Sequence, residues 1–243
     1  MKRVVFAVMM VFVLYNPVTG DDAYKAGPVS DGGIIKGTVV FNGAVPEPVT
    51  YKPTKDTEVC GPGVHTSDEI SIGPNRGIQY AVVSLTDITG GAPLDRKASP
   101  RLDQKGCRFV PHVVPVPRGG TLEILNSDGI LHNVRTTTKK NASFNKAQPK
   151  FMKKMKHKFT AGPEKIKVNC DAHSWMSAWI VVTDHPYYAV TDENGAFTLS
   201  DVPAGTYTIE YWHGSLGTNT AIVTVTAGET VVADGAFEGK DEG

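Results

Sequence analysis

The chain has 243 residues, with 25 Lys and Arg set against 25 Asp and Glu, for a formal net charge of zero. A neutral chain that is 40% hydrophobic is neither a disordered polyelectrolyte nor a broadly basic nucleic-acid binder. Its 25 Gly and 16 Pro point to many turns, and frequent Val and Thr without long helical periodicity argue for an all-β protein of one large or two small domains.

Met1-Lys2-Arg3 gives a positive start, residues 4–15 an apolar core, and Val18-Thr19-Gly20 small residues before a cut. Residues 1–20 are therefore expected to be a secretory signal peptide, too short to span a membrane, directing the protein to the periplasm or the exterior. No later run of 18 apolar residues occurs, so no membrane span is expected. Residues 21–32 are polar and Gly-rich and read as a loose tail. A strand is expected over 34–41, ended by the turn pair Asn42-Gly43. Residues 44–78 have weak periodicity and read as a long irregular segment around Cys60. A second strand is expected over 79–86 and is closed by Gly90-Gly91-Ala92-Pro93.

Strands are next expected near 108–116, 121–126, 131–137, 155–160, 164–170 and 178–183, with 142–154 left without regular structure. A basic run extends from Lys139 to Lys158. Residues 98–185 hold 15 Lys and Arg against 6 Asp and Glu, net +9; the rest of the exported chain holds 8 against 19, net −11. The run reads either as a solvated face or as a docking surface for an acidic partner.

At the end of the alternating stretch 165–168 stands Cys170-Asp171-Ala172-His173-Ser174-Trp175-Met176, a thiol, an imidazole and a thioether at C-x2-H-x2-M spacing. Alone, each residue reads as core packing. Together they are a soft ligand set that selects copper, and a trigonal His2Cys site with a weak axial Met needs one more histidine. His132 lies 38 residues before Cys170, in Asn126-Ser127-Asp128-Gly129-Ile130-Leu131-His132-Asn133-Val134. N-x-D-x3-H-N-V followed by C-x2-H-x2-M resembles the plastocyanin/amicyanin branch of the cupredoxins over about 98–185. The short Cys–Met loop is most similar to that of amicyanin. The resemblance implies a Greek-key β-sandwich with one type 1 copper ion held by His132, Cys170, His173 and Met176. It makes Asn133 the residue that links the two ligand loops, and His173 the ligand nearest solvent and the electron exit. Trp175, Met176 and Trp179 are candidates for an apolar contact patch there, or for plain core packing. Met152, Met155 and His157 could suggest a second copper site. Their alternation with Lys154, Lys156 and Lys158 reads better as a half-buried strand.

After His185-Pro186 the pattern changes. Residues 189–199 read as strand, Asn194-Gly195 turn and strand, a hairpin, followed by strands over 205–209, 220–226 and 230–237. T-D-x-x-G-x-F-x-L-x-D-V-P-A-G-T-Y over 191–207 resembles the carboxypeptidase regulatory-like domain, a small non-catalytic β-sandwich. The opening pieces of that family resemble Gly37-Thr38-Val39, Gly43-Ala44-Val45-Pro46 and Ala81-Val82-Val83. The resemblance implies one sandwich split over 33–97 and 186–240, with the cupredoxin of 98–185 inserted in it. A serial arrangement is the alternative.

If Cys170 is a ligand, Cys60 and Cys107 remain and are expected to form a disulfide, because an oxidising compartment seldom leaves two free thiols; two separate buried thiols are the alternative. The function implied is an exported single-electron carrier serving a redox partner protein, with a copper-delivery module as the alternative. The other histidines, His65, His112, His157, His185 and His213, form no His-x-His pair, so catalysis is not expected.

Overall fold

A computed structural model describes residues 24–239. The expected signal peptide lies outside the described residues. Two hydrophobic cores with no residue in common divide the molecule.

The first core lies between two facing sheets built from residues 101–183. One sheet has the order Lys154–Lys158, Thr121–Asn126, Arg101–Gln104, Phe109–Val110. The other runs Asn145–Gln148, His132–Thr137, Glu164–Asn169, Ser177–Thr183, Val113–Pro117. Alternation dictates the inner faces: Leu122 and Ile124 of one strand and Ile166 and Val168 of another are fully buried, while their neighbours face outward. The strand expected over 108–116 is broken in two around Pro111 and His112, because proline offers no N–H to a ladder. Within 142–154, where no structure was expected, Asn145–Gln148 pairs with His132–Thr137. Its side chains are Asn, Lys, Ala and Gln, so hydrophobic patterning could not reveal it.

The second core is shared by strands from both ends of the chain. Val82–Leu85 lies between Tyr188–Val190 and Gly205–His213, and Gly217–Val225 forms the far edge of that sheet. In the facing sheet Gly33–Asn42 pairs with Ala196–Val202 on one side and, in parallel, with Thr230–Val232 and Gly235–Glu238 on the other. Ile35, Val39 and Phe41 point inward from Gly33–Asn42, and burying side chains of this kind contributes roughly 1.5–3 kcal/mol each. The strand expected over 230–237 is thus two strands, and the one expected over 79–86 is limited to Val82–Leu85.

The hairpin expected over 189–199 is not formed. Tyr188–Val190 joins one sheet and Ala196–Val202 the other, so the Asn194-Gly195 turn crosses between layers. The Asp192 carboxylate accepts the N–H groups of Asn194 (2.8 Å) and Ala196 (2.9 Å), a turn chemistry that serves a crossover as well as a hairpin. The stretch expected to be a loose tail is tied down where it is described. Lys25–Ala26 pairs with Gly90–Gly91, and the Tyr24 hydroxyl donates to the Ala92 carbonyl (2.5 Å). Residues 44–78 are also less irregular than expected. Thr50–Tyr51 pairs with His65–Thr66, and the short helix Thr57–Cys60 lies between them.

The two sandwiches meet in a small apolar seam of Val82, Val113, Val181 and Trp212, flanked by Tyr80, Trp179 and Val190. Trp179 and Trp212 meet edge to face at 5.0 Å between ring centroids. A side chain at Gly214 would collide with the Trp179 indole, which is why that position needs glycine. Near the seam two buried histidines, His112 and His213, are held neutral. Burial pushes each pKa from 6.5 down to about 4, and His112 adds to the effect on His213. Between these values the unfolded chain binds the proton and the folded one does not, so stability falls as pH drops from about 6.5 to about 4. Melting temperatures of the metal-free protein should decline across that window. A His112→Gln/His213→Gln variant should show a visibly flatter profile than the parent.

Candidate metal centre

The pairing of three strands assembles the centre. His132 opens the strand His132–Thr137, which runs antiparallel to Glu164–Asn169 with Arg135 opposite Asn169. Continuing that register past Asn169 lays the turn 170–176 beside His132 and Asn133. The turn is closed by its own backbone: Met176 N–H donates to the His173 carbonyl (3.0 Å) and Cys170 N–H to the Met176 carbonyl (3.2 Å). Ser177–Thr183 then leads the chain back alongside Glu164–Asn169.

His132, Cys170 and His173 converge, with one ligand atom of each lying within 4.8 Å of the others. The two Nδ1 atoms stand 2.9 Å apart, and the Cys170 sulfur is 3.9 Å from His173 Nδ1. Both imidazoles are fully buried. The outer nitrogens are each tied to a carboxylate: His132 Nε2–H donates to Asp128 Oδ2 (2.9 Å) and His173 Nε2–H to Asp56 Oδ2 (2.9 Å). A carboxylate is only an acceptor, so each ring carries a proton on Nε2 and turns Nδ1 inward, where without metal a second proton on His132 can bridge to His173 Nδ1. Two facing lone pairs at that distance repel unless a proton or a metal cation lies between them. Two imidazoles and one thiol, with no hard oxygen donor among the converging atoms, suit copper in both its oxidation states. Met176 is 1% exposed and packs in the same core as Cys170.

Charge in the centre follows this geometry. Burial opposes a positive charge on His132, but the Asp128 carboxylate and the Cys170 sulfur outweigh it and raise the pKa to about 9. Burial works against a Cys170 thiolate. His132 and the N–H groups of Asn133, His173 and Ala172 overcome this and lower its pKa. The His173 pKa is lowered, chiefly by burial, with Asp56 acting in the opposite sense. The pocket thus favours the Cys170 thiolate that a metal ligand needs, while His132 has to release its inner proton when metal binds.

Asn133 joins the two loops. Its Oδ1 accepts the N–H groups of Asp171 (2.6 Å) and Ala172 (3.1 Å), its own N–H points at the Cys170 sulfur (3.5 Å), and its Nδ2 donates to Asn145 (2.7 Å). Outside, Arg135 and Asn145 both grip the Asp171 carboxylate.

One implication of the resemblance is corrected. His173 does not itself reach solvent: it is fully buried, like the other candidate ligands, with Asp56 and the Cys60–Cys107 disulfide against it. Cys60 and Cys107 have their Cα atoms 5.2 Å apart. Nor do Trp175, Met176 and Trp179 form one surface patch. Met176 is buried, Trp179 lies in the seam, and Trp175 is half-buried. Trp175 is 5.1 Å from the His173 ring, donates Nε1–H to the Cys107 carbonyl (3.2 Å), and stacks on Tyr51, which stacks on His65. Met155 and His157 lie on the edge strand Lys154–Lys158, with His157 between Phe144 and Phe159, while Met152 is exposed.

Asp56 and Asp128 escaped the sequence reading. Asp128 stands inside the quoted N-x-D-x3-H motif, so its place four residues before His132 was a usable signal. Asp56 is 117 residues from His173, in a stretch without periodicity, and nothing marks it.

A family model for the carboxypeptidase regulatory-like domain matches residues 176–237. No curated protein matches the chain. Solved structures similar to part of it include a copper-containing nitrite reductase from Thermus scotoductus SA-01, 20% identical with a TM-score of 0.32, covering 38% of this chain. The chain spans only 25% of that reductase. An amicyanin mutant in its Cu(I) form is 18% identical, covers 35% of this chain and 82% of its own, and has a TM-score of 0.32. A purple cupredoxin from Nitrosopumilus maritimus is 18% identical, with 34% and 98% covered and a TM-score of 0.29.

Replacing Asn133 by Ala strips the acceptor from two backbone N–H groups and unties the ligand loops. Denaturant unfolding of the metal-free protein should show a loss of about 1–3 kcal/mol.

Proposed function

We propose that this protein is an exported single-electron carrier holding one copper ion between His132, Cys170 and His173, with Met176 as the weak axial ligand. The observation that carries the reading is the pair of inward-facing Nδ1 atoms beside a thiol of lowered pKa, each imidazole fixed from behind by a carboxylate. Bound copper would supply a one-electron couple. The residues' part is to offer a soft, buried ligand set whose shape is fixed before metal arrives, so that little rearranges when the charge changes.

Burial of both histidines favours retention of the metal over its delivery to another protein. Every group of three converging His, Cys, Asp or Glu side chains found among the described residues includes His132 or His173, which supports a carrier with one centre. Electrons would enter and leave beside half-exposed Trp175 instead of at His173. The partner would be another one-electron redox protein. Lys154, Lys156 and Lys158 line a sheet edge as cations for an acidic surface, although Glu123 partly neutralises the first two.

The domain reading belongs to the same proposal: a sandwich over 33–97 and 186–240 carries the copper domain of 98–185 as an insertion. It is supported by the pairing of Gly33–Asn42 and Val82–Leu85 with strands after residue 186. Excising 98–185 and bridging the ends with a short flexible linker should leave a soluble, cooperatively melting β-protein.

Copper(II)-loaded protein should show an intense visible thiolate-to-copper band that Cys170→Ser abolishes. Met176→Gln should keep the metal and lower the midpoint potential, read by redox titration. A full-strength band in the Cys170→Ser protein would overturn the ligand assignment.

A further inference from the structure

The covering over His173 is built from one segment with one covalent anchor. Residues 50–66 leave the second sandwich as the paired strands Thr50–Tyr51 and His65–Thr66 and carry the short helix Thr57–Cys60 between them. Val59 and its neighbours face solvent, while Cys60 faces inward and is 5% exposed. The disulfide to Cys107 brings its two sulfurs within 4.8 Å of a ring nitrogen of His173. Tyr51 lies flat on Trp175, 5.8 Å between centroids and 11° between planes, and the Trp175 indole is fixed to the Cys107 carbonyl.

The disulfide also links the two carboxylates that hold the imidazoles. On its Cys60 side, Asp56 accepts the His173 Nε2–H. On its Cys107 side, the consecutive N–H groups of Gly106 (2.6 Å) and Cys107 (2.8 Å) hold Asp128, which accepts the His132 Nε2–H. Both residues have positive φ, 61° and 54°, which aims their N–H groups at one anion. Asp56 also has left-handed backbone, with φ 49°.

We propose that residues 50–66, locked by the Cys60–Cys107 disulfide, are a clasp that holds both histidines in ligating position through Asp56 and Asp128 and closes the centre against metal exchange. The proposal rests on the copper reading above. For metal to leave, an imidazole has to swing away. His173 can do so only by breaking its bond to Asp56 and displacing the disulfide. The carboxylate supports act as positioning groups, and losing such a support typically weakens metal binding about 10- to 100-fold.

Metal release from the full-length copper(II) protein into excess EDTA tests this, followed by loss of the visible band and by bound metal after desalting. Asp56→Gly removes the acceptor without strain at its left-handed backbone, and a Cys60→Ser/Cys107→Ser protein removes the anchor. Both should release copper about 10- to 100-fold faster than the parent while keeping its circular dichroism. Asp56→Asn, which keeps an oxygen acceptor but no charge, should fall between. A segment that only packs would lower the melting temperature of the metal-free variants and leave release from the folded protein unchanged. Release within about twofold of the parent in both main variants would overturn the clasp and leave the copper reading intact. A parent that takes up no copper would overturn both.

Discussion

Two buried imidazole nitrogens stand 2.9 Å apart, close enough that a proton or a cation has to lie between them. Each ring is anchored from behind by a carboxylate, and a proton on His132 or a bound cation between the nitrogens makes their approach favourable. The surrounding structure serves that constraint. Asn133 carries the Cys170 turn to the His132 strand, and Gly106 and Cys107 spend two backbone N–H groups on Asp128. A buried Asp128 would cost several kcal/mol if left unpaired. With three donors around it, its carboxyl pKa is lowered despite the burial.

The same constraint gives the second sandwich work to do beyond its own stability. In the chain the clasp lies between Gly33–Asn42 and Val82–Leu85, strands of the two facing sheets of that sandwich, so their positions limit where Asp56 and Cys60 can reach. Further ties run close by. Arg108 pairs with Asp68, the Ser177 hydroxyl donates to the Glu69 carboxylate, and the Ser215 hydroxyl donates to the Glu69 carbonyl. Segment 67–69 therefore bridges the start of the strand after Met176 and the second sandwich. Together with the Trp179–Trp212 contact, these links make the orientation of the sandwiches part of how the centre is shaped.

Patterning in the chain was enough for the all-β class and for most core strands. Ile35, Val39 and Phe41, or Leu122 and Ile124, declare their inward face through a period of two that holds in any context. It was not enough for partners. Ala189–Leu199 has the local chemistry of a hairpin, yet its two halves join different sheets, the first pairing with Val82–Leu85 and the second with Gly33–Asn42. Asn145–Gln148 has no periodicity and is a strand only because His132–Thr137 presents it with an open edge.

At the centre the division is sharper. The chain itself pointed to the candidate donors His132, Cys170, His173 and Met176, because C-x2-H-x2-M is confined to one turn and His132 precedes it in a recognisable strand-end motif. Ligand chemistry depends on residue type and short spacing, and both are written locally. The burial of His173, the carboxylate of Asp56 behind it and the position of the Cys60–Cys107 disulfide against both imidazoles were decided only by tertiary structure. Those contacts join residues 117 and 47 apart in the chain. No local rule encodes them, because they exist only once segment 50–66 has packed onto a core formed by residues far along the chain.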